Sequence, residues 1–225
     1  MTRRLIDLST PIRTDHFRWG VTRKQVRSHG NGSYLQVTWL GWPIHGFTHM
    51  DTPRHFDANG KTTDDVSIDT TWGPAVVVDL SAIKPDEPVT ADMLEKTGAD
   101  IRPGDIILLK SAWDTKASLD TPEFWSTAPY MTTEACRWLF AKSPKGVAYD
   151  FPQDHCIRDM VSGDREPAFE ENVTHIELLL KGVTMFEYLC NMSEITKERV
   201  EFFGLPLKIP DSDGAPIRAV AVEDI

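Results

Sequence analysis

The stretches "GPAVVVDL" (Gly73–Leu80) and "GDIILLK" (Gly104–Lys110) are unbroken apolar runs of strand length. A strand with one wet face alternates apolar and polar residues, whereas a strand covered on both faces has no need to. "GVAYD" (Gly146–Asp150) is a shorter run of the same kind. Helix signals lie between them. Thr90 is placed to cap "ADMLEKTG", which Gly98 would close, and Thr132 or Thr133 to start "EACRWLFAKS". Strand, helix, strand, helix, strand from residue 73 to 150 predicts an α/β domain. Upstream, "TRKQVRS" and "SYLQVTWL" read as strands joined by a turn at "HGNG". Downstream, "EFFGLPLKI" and "APIRAVAVED" read as two more strands around a turn at Asp211–Gly214. That extra β content predicts a mixed sheet flanked by helices rather than a regular doubly wound one.

No repeat, low-complexity tract or long linker divides the 225 residues, so residues 1–225 are expected to form a single domain. The formal charge of −10, without a large Lys/Arg cluster, argues against nucleic acid as a partner. The longest aliphatic runs, "AVVV" and "IILL", are too short to span a bilayer, and "LIDLSTPIRTD" interrupts any signal-like apolar run after "MTRR". Cys136, Cys156 and Cys190 are odd in number and widely spaced, which fits reduced thiols in the cytoplasm better than a disulfide framework or a thiolate zinc site.

The chemistry concentrates in "HGFTHMDTPRHF", His45–Phe56. A helix would put His45 and His49 on one face and turn Asp51 away, and Gly46 and Pro53 oppose a helix there. In extended chain, His45, His49, Asp51 and His55 are separated by even offsets and share a face. Pro53 would end the pairing and leave His55 on a turn beside the others. Three imidazoles and a carboxylate on one face suit a divalent metal; a solvated polar loop is the plainer alternative. Further ligands would come from elsewhere. His16 and His29 lie in turn-like sequence, and His155 in "DFPQDHC" is a minor candidate. His175 precedes an apolar run in "NVTHIELLLKGVTMFEYLCNM", where Thr174 and Glu177 form a T-x-x-E capping box and Gly182 would close the helix. Glu187 lies among Met185, Phe186, Tyr188 and Leu189; unless it faces water from an edge strand, it needs a partner or a cation.

These residues resemble the signature H-x-G-T-H-x-D-x-P-x-H of the cyclase-like metal-dependent hydrolases, a family that includes bacterial kynurenine formamidases and isatin hydrolases. "LIDLSTPI", "GPAVVVDLS", "IRPGDIILLKSAW", "GVAYDFPQD" and "LPLKIPDSDGAPIRAVAV" extend the resemblance over most of the chain, and His175 and Glu187 keep a familiar twelve-residue interval. The resemblance implies a swivelling β/β/α domain assembled as a homodimer or larger homo-oligomer. It implies one or two divalent ions, zinc or manganese, held by His45, His49, Asp51, His175 and Glu187, with His55 as the catalytic acid/base. The chain departs from the signature where Gly46 and Phe47 replace x and Gly. Phe47 and Trp42 are accordingly the candidate substrate contacts, with core or subunit-interface packing as the alternative for Trp39, Trp42 and Phe47.

The function so implied is hydrolysis of a C–N amide bond in a small aromatic or cyclic amide. No G-x-S-x-G motif offers a serine nucleophile instead. A non-catalytic metal- or ligand-binding protein on the same scaffold is the alternative; the retained His55 speaks against it, because a pure binder needs no base beside its metal. A purely structural metal site would be expected to be cysteine-rich.

Overall fold

The computed structural model describes residues 2–224. In chain order the elements are β1 (Arg3–Asp7), β2 (Thr22–Arg27), β3 (Val37–Gly41), β4 (His49–Asp51), β5 (Trp72–Asp79), β6 (Pro88–Val89), α1 (Ala91–Lys96), β7 (Ile106–Lys110), α2 (Pro122–Ser126), β8 (Tyr130–Met131), α3 (Thr133–Ala141), β9 (Gly146–Tyr149), α4 (Ile157–Ser162), α5 (Val173–Glu177), β10 (Thr184–Glu187), β11 (Arg199–Phe203), β12 (Gly214–Pro216) and β13 (Val220–Asp224). Nine strands form one sheet in the order β1-β13-β11-β5-β7-β9-β10-β4-β12. The central four, β5, β7, β9 and β10, run parallel, and the outer strands are antiparallel to their neighbours. This is a mixed α/β architecture, as the alternating segments predict.

The apolar runs are covered on both faces. Val76, Val78, Ile107, Leu109 and Val147 pack with Leu94 and Leu139 of the helices. Ala75, Val77, Ile106, Leu108 and Ala148 face the other way, against Phe186, Phe202 and Met192. Strand curvature builds that second layer. "APIRAVAVED" is not one strand: β12 borders β4 at one edge of the sheet, while β13 lies next to β1 at the other. The chain from Pro216 to Val220 can reach no more than about 14 Å. The two ends of the sheet must therefore curl toward each other, which brings Met50, Ile217 and Ala221 into one core. "EFFGLPLKI" likewise ends as a strand at Phe203; beyond it, Pro206 makes only an isolated bridge to Ile217.

Thr90 and Thr132 cap α1 and α3 through their hydroxyls as expected. The capping box expected at Thr174 and Glu177 does not form. Asn172 occupies the N-cap of α5, Glu177 pairs with Arg137 and Lys181, and Thr174 donates to Asp154. The reason is a stronger acceptor nearby: a buried carboxylate takes both the Thr174 amide and its hydroxyl. Gly182 does close the following turn, in the left-handed conformation.

β2 and β3 pair as a separate ribbon outside the main sheet, with nearly every side chain exposed. Among the described residues, no helix is long and apolar enough to cross a membrane.

Candidate metal centre

β4 is three residues long and enclosed between β10 and β12. Its alternation turns Met50 into the curled core and turns His49 and Asp51 to the helix-covered face. Glu187, at the end of β10, is the register partner of His49 and therefore faces the same way. It is buried, so the edge-strand alternative for this carboxylate is removed. α5 brings His175 over the pair. Pro53 starts a single 3-10 turn, Pro53–His55, which sets His55 beside the strand as the spacing predicts. Two glycines permit this crowding: a Cβ on Gly60 would fall 2.5 Å from the Pro53 carbonyl carbon, and one on Gly214 would fall 2.7 Å from Met50 O.

The deep donors converge. His49 Nε2 is 3.1 Å from Asp51 Oδ1 and 3.8 Å from Glu187 Oε2. His175 Nε2 is 3.4 Å from Asp51 Oδ2 and 3.5 Å from Glu187 Oε1. His49 donates Nδ1–H to the Phe47 carbonyl at 2.9 Å, and His175 Nδ1 meets Asp154 Oδ2 at 2.7 Å. Each ring is thus held with Nε2 toward the carboxylates, as metal-ligating imidazoles are. His49 Nε2 and Asp51 Oδ2 are buried without a hydrogen-bond partner. Leaving such atoms unpaired costs on the order of 1–3 kcal/mol each. The ligand–ligand edges of a tetrahedral zinc site are roughly 3.3–3.6 Å, close to the separations seen. The residues fit a divalent cation, offered an all-nitrogen-and-oxygen donor set.

The outer half is more open. His45 meets Asp51 through Nδ1 and Asp213 through Nε2, both at 2.8 Å, and its ring stacks on His55 at 3.7 Å. Burial would lower the His45 pKa, but Asp51 and Asp213 outweigh it and raise it to about 9. His55 is driven the other way, to about 4: burial, with repulsion from the neighbouring His45 and His175 rings, overcomes the attraction of Asp51. His175 is raised because Asp154, Asp51 and Glu187 together outweigh its burial, and Asp51 is lowered because the surrounding imidazoles outweigh its own.

The six predicted metal and acid/base residues lie together, but the extended reading holds only for His49 and Asp51: His45 sits in a turn ahead of β4, His55 in the 3-10 turn after it, His175 in α5 and Glu187 in β10. His155 is not among them; it is exposed and lies edge-on to Tyr130. The inward residue of that stretch is its neighbour Asp154. Phe47 is no exposed substrate contact: it is buried, packed on Trp19 and His16, with φ of +62°. The signature glycine at this position thus has a backbone role, which Phe47 fills in a left-handed conformation that side chains rarely adopt. Trp42 is half-buried against the same core. Sequence reading missed Asp213, hidden in a turn-like "DSDG", and the aromatic rim. Phe56 stacks on His175 at 4.2 Å, and the half-exposed Phe169 lies 6.0 Å from Phe56.

A family model described as "Putative cyclase" matches residues 6–153. The chain belongs to the cyclase family. Over 97% of its length and 97% of theirs, it is 27% identical to a kynurenine formamidase of Bacillus mycoides (strain KBAB4) and 28% identical to one of Bacillus thuringiensis subsp. konkukian (strain 97-27). Its fold matches that of isatin hydrolase A from Ralstonia solanacearum, with a TM-score of 0.80, 20% identity and coverage of 99% of this chain and 92% of that one. A structure titled as a potential metal-dependent hydrolase with cyclase activity matches over 100% of both chains, with a TM-score of 0.74 and 21% identity.

Proposed function

We propose that the protein hydrolyses a C–N amide bond of a small aromatic or cyclic amide, formamidase- or isatin hydrolase-like. In this reading one or two zinc or manganese ions are held by His45, His49, Asp51, His175 and Glu187, with His55 as acid/base. The observation that carries it is the convergence of unpartnered, buried His49 and Asp51 atoms on the Nε2 of His175 and the carboxylate of Glu187, with a half-open imidazole alongside. A bound divalent cation supplies Lewis acidity toward a carbonyl and lowers the pKa of water. The chain's residues do the rest. His55, with its pKa near 4, is neutral at neutral pH and free to accept a proton. Its Nδ1 faces Asp213 at 3.9 Å, which leaves Nε2 to take the proton from water and return it to the leaving nitrogen. Phe56 and Phe169 form an aromatic rim that supports a flat substrate.

Self-association is part of the proposal. Residues 16–50 carry Arg18, Arg23, Lys24 and Arg27 and no acidic residue, while the rest of the chain holds all the acidic excess. A basic ribbon exposed on both faces matches an acidic second copy. A cytoplasmic setting is supported by three free cysteines.

The test is elemental analysis of the purified protein, followed by a hydrolysis screen across N-formyl anilides, isatin-type cyclic amides and small lactams or imides. Metal-dependent turnover of one class is expected. Tight metal binding without turnover of any would favour the binding-protein alternative.

A further inference from the structure

The loop leaving β9 turns two consecutive side chains into the cluster, and each meets a different deep donor. Asp154 Oδ2 accepts from His175 Nδ1, and Gln153 Nε2 donates to Glu187 Oε1. Both side chains are buried. The loop is anchored at its start, where Asp150 accepts from Ser111 N, Ser111 Oγ and Ala112 N at 3.0, 2.6 and 2.8 Å. It is anchored again where the Gln153 carbonyl accepts from Met131 N at 2.8 Å.

We propose that Gln153 and Asp154 are positioning residues for the metal centre, one loop setting two donors that lie on separate elements. The proposal rests on the metal-dependent reading of the site. An imidazole binds a cation through its unprotonated nitrogen, so the proton must be kept on the other one. By accepting from Nδ1–H, Asp154 holds the His175 proton there and leaves the Nε2 lone pair aimed between Asp51 and Glu187. Gln153 fixes the second donor: its amide takes up Glu187 Oε1 and leaves Oε2 on the side of His49 Nε2. Asp154 has a separate structural duty, accepting from Thr174 N at 2.9 Å and Thr174 Oγ1 at 2.8 Å. That duty supplies a control.

The experiment measures zinc affinity by competition with a chromophoric chelator, and the melting temperature of the chelated protein. Asp154→Asn can still accept from Thr174 but presents an NH2 group to His175 Nδ1, which selects the tautomer protonated on Nε2. Zinc affinity should fall roughly 10- to 100-fold. Gln153→Met, similar in length but without a donor, should fall in the same range. Thr174→Val removes the hydroxyl's bond to the same carboxylate and its longer 3.4 Å contact with His175 Nδ1, but leaves the 2.7 Å Asp154–His175 bond in place; it should lower the melting temperature and leave zinc affinity unchanged. If Asp154→Asn or Gln153→Met binds zinc like the parent, the assignment is overturned. It is also overturned if Thr174→Val loses as much affinity as Asp154→Asn. A parent protein that binds neither zinc nor manganese would instead overturn the metal-dependent reading itself.

Discussion

The two halves of the cluster differ in what surrounds them. His49, Asp51, His175 and Glu187 are buried, and their orientations are set by backbone register or by buried hydrogen bonds. His45, His55 and Asp213 have side chains 25%, 30% and 43% exposed and are held largely by one another. A cation needs donors whose directions are fixed before it arrives, which a dry, paired setting supplies. A proton carrier needs access to water and substrate. On the proposed reading the inner half is built to hold, His45 joins it from the more open side, and His55 is the group placed to exchange a proton.

Substitutions that test this division should differ in kind as well as in size. The largest effect is expected inside. Asp51→Asn removes a charge shared by three imidazoles and should abolish stoichiometric metal content, and turnover with it; elemental analysis showing full loading would break the division. At the boundary, His55→Ala should retain metal while kcat falls about 10²- to 10⁴-fold, the range for a lost general acid/base. Parallel loss of metal would move His55 into the holding half. A smaller change is expected for Asp213→Asn. With less negative charge beside it, His45 should titrate at lower pH, with metal content preserved; NMR titration of the His45 ring in chelated protein would show this.

Stability against pH gives the smallest and broadest signal. The raised His45 contributes stability that is complete below its ordinary pKa of about 6.5 and is lost as pH rises through about 9. The depressed His55 contributes stability complete above that ordinary value and lost as pH falls toward about 4. Chelated protein should therefore melt at lower temperature on both sides of near-neutral pH, and His45→Asn should flatten the alkaline side. An alkaline side unchanged in that variant would contradict the role given to Asp51 and Asp213.

How much of this was legible depended on whether the signal was local. The runs at Ala75–Val78 and Ile106–Leu109 announce strands covered on both sides, because every residue in them has an apolar neighbour to meet. The even spacing of His49 and Asp51, and the break at Pro53, are properties of one short segment. The split of "APIRAVAVED" between opposite edges was not legible, because it follows from curling of the whole sheet. Asp213 and Asp154 were hidden for a related reason. Turn aspartates serve as local caps far more often than as partners of a distant histidine, and only the assembled chain separates the two. Phe47 shows the same limit: the sequence leaves substrate contact and core packing both open, and only the folded chain shows the residue buried with φ of +62°.

The central claim is that the inner half holds a catalytic divalent cation. The direct measurement is amide hydrolysis by the purified protein before chelation, after it, and after restoration of zinc or manganese, with metal content determined in each sample. Turnover of a small aromatic or cyclic amide is expected to vanish with the metal and return with it. Full hydrolytic activity in a sample shown to be metal-free would contradict it.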